Sequence, residues 1–208
     1  MAKSDRPALP SSIASPVREL RIHGRGGQGA VIASKVLASA LFREGSSVQS
    51  FPAFGVERRG APVTAFLRFS QGPILLRCEI TSPHDLIILD PTLIKAVDVA
   101  QGLQPGGSIL INSDRDADAY ASLAGRFRVS LVDASAVARK YELGSRTQPI
   151  VNTAILGAFA ADSGIVSLDA ICAAIAEAIP GKADHNIAAA REAAGLVVRL
   201  PFEEVHHA

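Results

Sequence analysis

The chemistry-bearing residues of this 208-residue chain gather in two short stretches. The first is Gly24-Arg25-Gly26-Gly27-Gln28-Gly29. Through Gly24, Gly26 and Gly29 it satisfies the pattern G-x-G-x-x-G. Glycines at that spacing permit a tight strand-to-helix turn and let a ligand or another backbone come close. Free N–H groups at the start of the following helix suit a phosphate or a carboxylate. A turn that only packs helix on strand uses the same residues, so both readings stay open. Arg25, the loop's one cation, either holds a phosphate or points to solvent. Gln28 either orients a ligand or caps the helix. A dinucleotide site adds an acidic residue roughly 20 positions on, for the ribose. Here the second strand ends in Val48-Gln49-Ser50-Phe51 without a carboxylate, which argues against an ordinary NAD site.

The second stretch is Glu57-Arg58-Arg59, set between Phe54-Gly55 and Gly60-Ala61-Pro62. Adjacent arginines can grip a carboxylate or phosphate through their planar forks. A solvated charged loop is the simpler alternative. A solvated loop containing Phe51, Pro52, Phe54 and Pro62 would expose much apolar surface, which favours contact with another subunit or a ligand. Farther on, Asn152 either caps its helix or contacts a partner or anion. Asn186 reads as a cap or a buried hydrogen-bonding amide. His23 reads as a hydrogen-bonded structural histidine beside the glycine loop, while His84 and His185 join no catalytic constellation. The G-x-S-x-G, H-E-x-x-H and Walker A patterns do not occur. Nor does the G-D-G signature of thiamine diphosphate and magnesium. The two cysteines, Cys78 and Cys172, lie far apart and cannot supply the four thiolates of an iron–sulfur cluster. Both read as buried free thiols. His206-His207 alone make a poor metal site.

Positioning these residues requires alternating strands and helices. Leu20–His23 reads as a strand. Ala30 to Glu44 reads as a helix whose apolar stripe is Ile32, Val36 and Ala40 with Ala33, Leu37 and Leu41, opposite Lys35, Ser39 and Arg43. Pro62–Phe69 and Ile74–Cys78 read as neighbouring strands about a turn at Gln71-Gly72-Pro73. Leu86–Leu89 and Ser108–Asn112 are apolar runs suited to strands buried on both faces. Asp90-Pro91 should open a helix reaching about Gln101. Ser113–Gly125 carries a short helix, Phe127–Val132 a strand, and Ala134–Tyr141 a helix. Helices over Asn152–Asp162, Leu168–Ile179 and Asp184–Val198 follow. The expected fold is α/β: three layers, a mostly parallel or mixed sheet with helices on both faces, and a helical C-terminal third.

Composition sets the outer bounds. Hydrophobic residues make up 48% of the chain, enough for a substantial core, and the formal net charge is +1. Nothing in that balance implies general attraction to nucleic acid or an anionic membrane. Residues 1–16 are rich in Pro, Ser and Ala, without the apolar run of a secretory signal. They read as a flexible N-terminal segment, residues 17–200 as a single domain, and residues 201–208 as a tail. No apolar run is long enough to span a membrane, and the cytoplasm is the expected location.

Taken in order, the glycine loop, its helix, Phe51-Pro52-Ala53-Phe54-Gly55-Val56-Glu57-Arg58-Arg59-Gly60-Ala61-Pro62, Asn152–Ala158 and His185-Asn186-Ile187 with Gly195 resemble the gamma subunit, or gamma domain, of the 2-oxoacid:acceptor oxidoreductases, the pyruvate:ferredoxin oxidoreductase family. The resemblance spans about Glu19 to Leu200. Many members carry Arg-Gly-Gly where this chain has Arg59-Gly60-Ala61. The resemblance implies a non-catalytic subunit beside alpha, beta and ferredoxin-like delta subunits. Thiamine diphosphate, magnesium and [4Fe–4S] clusters would lie on those partners, and none on this chain. CoA would be the co-substrate, with ferredoxin or NAD as acceptor through other subunits. The implied reaction turns a 2-oxoacid such as pyruvate or an aryl glyoxylate into acyl-CoA and CO₂. The competing reading is a stand-alone Rossmann-type NAD(P)-binding oxidoreductase.

Overall fold

The computed structural model describes residues 16–53 and 60–202. The expectations for Phe54, Glu57, Arg58 and Arg59, and for most of both termini, lie outside that range. In chain order the elements are β1 (Arg18–Arg25), α1 (Ala30–Arg43), β2 (Ser47–Pro52), β3 (Pro62–Ser70), β4 (Asp85–Ile88), α2 (Leu93–Ala96), β5 (Ser108–Asn112), α3 (Ala121–Ala124), β6 (Arg128–Val132), α4 (Ala134–Lys140), α5 (Asn152–Ser163), α6 (Leu168–Ala178), α7 (Ala183–Ala194) and β7 (Val198–Arg199). They form one seven-stranded sheet in the order β2-β3-β1-β4-β5-β6-β7. β1, β4, β5 and β6 run parallel, while β2, β3 and β7 supply antiparallel pairings at the two sides. The sheet is therefore mixed, as expected.

The inner positions of the central strands β4, β5 and β6 are mostly apolar because both faces are covered. Ile87 and Leu89 join the core beneath α1, α4, α5, α6 and α7. Leu86 and Ile88 join a smaller core with Leu93, Val99, Leu103, Tyr120 and Leu123. That second layer consists of short helical turns. The α1 stripe is buried at Ala33, Val36, Leu37, Ala40 and Leu41, but Ile32 remains 48% exposed. Side-chain caps start two helices as their sequences allow. Asp133 accepts from Ala136 N–H at 2.7 Å, and Ser167 accepts from Ala170 N–H at 3.1 Å.

Three elements differ from the sequence reading. Ile74–Cys78 forms no strand, because both edges of β3 are already occupied by β1 and β2. The helix expected from Asp90 to Gln101 is limited to Leu93–Ala96. Beyond it, the Val99 and Gln101 carbonyls accept from the Arg21 guanidinium at 3.1 and 2.6 Å. The last helix stops at Ala194, and Val198–Arg199 pairs with β6 instead. Of the two cysteines, Cys172 is buried as expected but Cys78 is exposed.

Candidate functional site

The glycine loop leaves the C-terminal end of β1, next to the end of β4. From β1 the chain turns into α1 on one face, and from β4 it turns into Leu93 on the other. Such a divergence opens a crevice at the sheet's C-terminal edge, the usual ligand position in open α/β sheets. A cavity of about 560 Å³ occupies that crevice, with Gly26, Gly27 and Gln28 on one side and Asp90, Asn112 and Ser135 on the other. Gly29 adopts φ +82°, and its α-carbon faces Asn152 so closely that a β-carbon would lie 2.5 Å from Nδ2. Glycine is thus required there by backbone conformation and by space.

Arg25 is neither a free phosphate ligand nor a solvated side chain. Its Nε donates to Asp90 Oδ2 at 2.9 Å, Nη2 to Thr92 Oγ1 at 2.8 Å, and Nη1 to the Gly60 carbonyl at 3.1 Å. Gln28 completes the knot. Its Oε1 accepts from Arg25 N–H at 2.7 Å and its Nε2 donates to Asp90 Oδ2 at 3.2 Å. Thr92 gives Asp90 Oδ1 both its N–H and its hydroxyl. Burial pushes the Asp90 carboxyl upward, but Thr92, Arg25 and Gln28 together hold it below its ordinary range. Asp90 therefore acts as an ionised tie between the glycine loop and the end of β4, and its Oδ1 also accepts from Thr92 N–H at 2.9 Å, as expected of an Asp-Pro pair opening a helical turn, although the regular helix begins only at Leu93.

The same loop is stitched to the end of the second chemical stretch. Gly26 N–H donates to the Ala61 carbonyl at 2.9 Å, and Gly60 N–H donates to the Gly26 carbonyl at 3.1 Å. These bonds continue the β1–β3 ladder, in which Arg25 faces Pro62. Two motifs some 30 residues apart in sequence thus form one surface. Asn112 ties the far wall together, donating to the Leu89 carbonyl and Ser135 Oγ while accepting from Ser135 N–H. The sequence reading missed Asp90, Asn112 and Ser135. Their signal was positional: Asp90 and Asn112 close strands that β1 pairs with directly or through one neighbour, and Ser135 opens the helix after β6.

Asn152, expected as a cap or as a contact for a partner or anion, is only 2% exposed and packs on Gly29. Its Oδ1 accepts from the adjacent Thr153 N–H. Asn186 is buried and satisfied by Thr153 Oγ1 and the Lys182 carbonyl, as its sequence position suggested. His23 is 8% exposed, with Nδ1 3.4 Å from Thr64 Oγ1 and a buried Nε2 that meets no partner among the described residues. Burial, then the charge of Arg21, lowers its imidazole from 6.5 to about 4. The unfolded chain therefore binds a proton between those values that the folded chain refuses. Stability tied to His23 is intact above pH 6.5 and is lost as pH falls toward 4, by on the order of 3 kcal/mol. Urea unfolding at pH 7 and pH 4.5 should show a smaller acid loss for His23→Asn than for the parent; equal losses would refute this.

The cavity offers amides, hydroxyls and one ion pair, with no histidine or cysteine among its described lining residues. Such a lining can bind and orient a polar ligand. Among the described residues there is no group of three or more His, Cys, Asp and Glu side chains that could hold a metal ion.

Residues 19–196 match the pyruvate ferredoxin/flavodoxin oxidoreductase family. The chain belongs to this family. Within it, the chain is of the gamma type. It is 46% identical over 178 residues to the common gamma subunit of the pyruvate/ketoisovalerate oxidoreductases of Thermococcus kodakarensis, covering 84% of this chain and 94% of the relative. It is 44% identical over 187 residues to the pyruvate synthase subunit PorC of Methanothermobacter thermautotrophicus, covering 90% and 95%. The pyruvate oxidoreductase subunit PORC of Thermotoga maritima superposes with a TM-score of 0.76 at 31% identity, over 89% of this chain and 99% of that one. The family's fold also recurs in the 2-oxoglutarate:ferredoxin oxidoreductase of Magnetococcus marinus, at TM-score 0.69 and 18% identity over 86% of this chain and 30% of that one. The stand-alone NAD(P) reading gains no support. In a Rossmann sheet the strand bearing the ribose acid lies beside β1. Here β3 is inserted between β1 and β2, and β2 ends in Phe51-Pro52. No described helix is long and apolar enough to cross a membrane.

Proposed function

We propose that this chain is the non-catalytic gamma subunit of a thiamine diphosphate-dependent 2-oxoacid:acceptor oxidoreductase. In that assembly it holds the glycine loop and the Arg58-Arg59-Gly60 stretch against alpha, beta and delta partners, where CoA is received. Thiamine diphosphate and iron–sulfur clusters supply decarboxylation and electron transfer from those partners. This subunit's own residues bind and orient. The observation that supports the reading is the pairing of Gly26 with Gly60 and Ala61, the described end of the second stretch. Arg25 is neutralised by Asp90, so the anion-binding role passes to Arg58 and Arg59, which directly precede Gly60 in the sequence. The phosphates of CoA or an acidic side chain of a partner would be their counterpart.

The test is made on the assembled complex. Arg58→Ala or Arg59→Ala should weaken assembly or raise the apparent KM for CoA, the loss of a desolvated arginine being about 2 kcal/mol, with the subunit's melting temperature unchanged. Unaltered assembly and CoA kinetics in both variants would overturn the assignment. Purified alone, the chain is expected to be colourless and inactive toward 2-oxoacids.

A further inference from the structure

On the other side of the Pro149–Asn152 segment lies a second cavity, a groove of about 740 Å³, within the range of small-molecule sites. Its walls are apolar: Ile32 and Val36 of α1, Leu143, Ile150 and Ile179. Ile32 and Ile150 are 48% and 38% exposed. Ile32 belongs by periodicity to the buried stripe of α1, yet here it forms the wall of an open concavity. Exposed apolar side chains gathered in one concave place mark a binding surface more than scattered ones do.

The charged groups among the described residues of the groove share one sign. Lys35 and Lys182 stand at its rim, and no carboxylate lines it. Lys35 makes no ion pair or hydrogen bond with a described residue, and Lys182 Nζ donates once, to the Glu142 carbonyl at 3.1 Å. At the floor lies Asn152, 2% exposed. Its Oδ1 is engaged by Thr153 N–H, while its Nδ2 donates to no described residue. A ligand oxygen entering the groove can accept from that amide N–H. An apolar body, an anionic end for the lysines and an oxygen acceptor for Asn152 together define one kind of molecule. We propose that this groove binds an amphipathic carboxylate, a medium-length apolar chain ending in an acid. The site is separate from the crevice, and the proposal does not depend on the gamma-subunit reading.

Decanoate, decanol and decyltrimethylammonium, each below its micelle concentration, test the idea by calorimetric titration and amide NMR of the full chain. Decanoate should bind saturably at one site and shift the resonances of Ile32, Val36 and Ile150. Decanol should bind about tenfold more weakly, a difference of one charge contact, and the cation not at all. Lys35→Gln combined with Lys182→Gln should lower decanoate affinity about tenfold without changing the melting temperature, since both side chains are exposed. Ile32→Glu should abolish binding. Equal affinity for decanoate and decanol, or indifference to the double lysine change, overturns the proposal. So does binding by the free chain that disappears in the assembled complex, which would mark the groove as a subunit interface.

Discussion

Gly157→Ala should destabilise the chain by about 3 kcal/mol and Gly157→Val should prevent folding, although alanine is ordinarily the better helix former by about 1 kcal/mol. Gly157 lies in α5, whose residues from Asn152 to Ala160 are all buried. A β-carbon there would fall 1.9 Å from the Ala190 carbonyl oxygen and 2.7 Å from its Cα. Backbone meets backbone at this crossing of α5 and α7, so no side-chain rotation can relieve the clash. The helices must separate, opening the core shared by Ala154, Ala158, Ala189 and Ala193. Overpacking of this kind costs about 1–3 kcal/mol, sometimes more. Gly195→Ala is the control. Its β-carbon would meet nothing nearer than 3.6 Å, and it should be close to neutral. Urea midpoints decide the matter: a Gly157→Ala variant as stable as Gly195→Ala contradicts the packing argument.

Glu19→Ala should be at least as damaging as Gly157→Ala. Arg68 is 1% exposed, and its Nε donates to Glu19 Oε1 at 2.6 Å. Nη2 reaches the Glu79 carbonyl at 3.1 Å, whereas Nη1 is buried without a partner. The guanidinium thus lacks one hydrogen bond before any change is made. Removing Glu19 strands a buried charge, at a cost of about 3–5 kcal/mol. Replacing both members, with Glu19→Ala and Arg68→Met together, should recover much of that loss, because an apolar side chain has no charge to desolvate. A double variant no more stable than Glu19→Ala alone would show that the loss comes from packing, not from the stranded charge.

The reasons why parts of this architecture were legible in the sequence are local. Leu86–Leu89 and Ser108–Asn112 declare themselves because the inner residues of strands covered on both faces form an unbroken apolar run. The α1 helix does so through its stripe and the glycines before it. Ile74–Cys78 has equally strand-like residues but no free edge to pair with, and propensity cannot reveal that. The glycine loop was visible as a candidate site, yet the fate of Arg25 was not. Its partners Asp90 and Gly60 stand 65 and 35 residues away, and only the sheet order brings them within reach. Asn152 stood out in the sequence as a cap or as a contact for a partner or anion, whereas its packing on Gly29 is visible only in the fold.

The stitching of Gly26 to Gly60 and Ala61 has a consequence for how such a subunit diversifies. At the other end of the same connection, Ala53 N–H donates to the Thr64 carbonyl at 2.8 Å. The described residues on either side, Ala53 and Gly60, are therefore both pinned to the sheet itself. Loops vary between relatives more than the elements that hold them, so these anchors are the part of the connection expected to stay constant while a gamma scaffold changes around them.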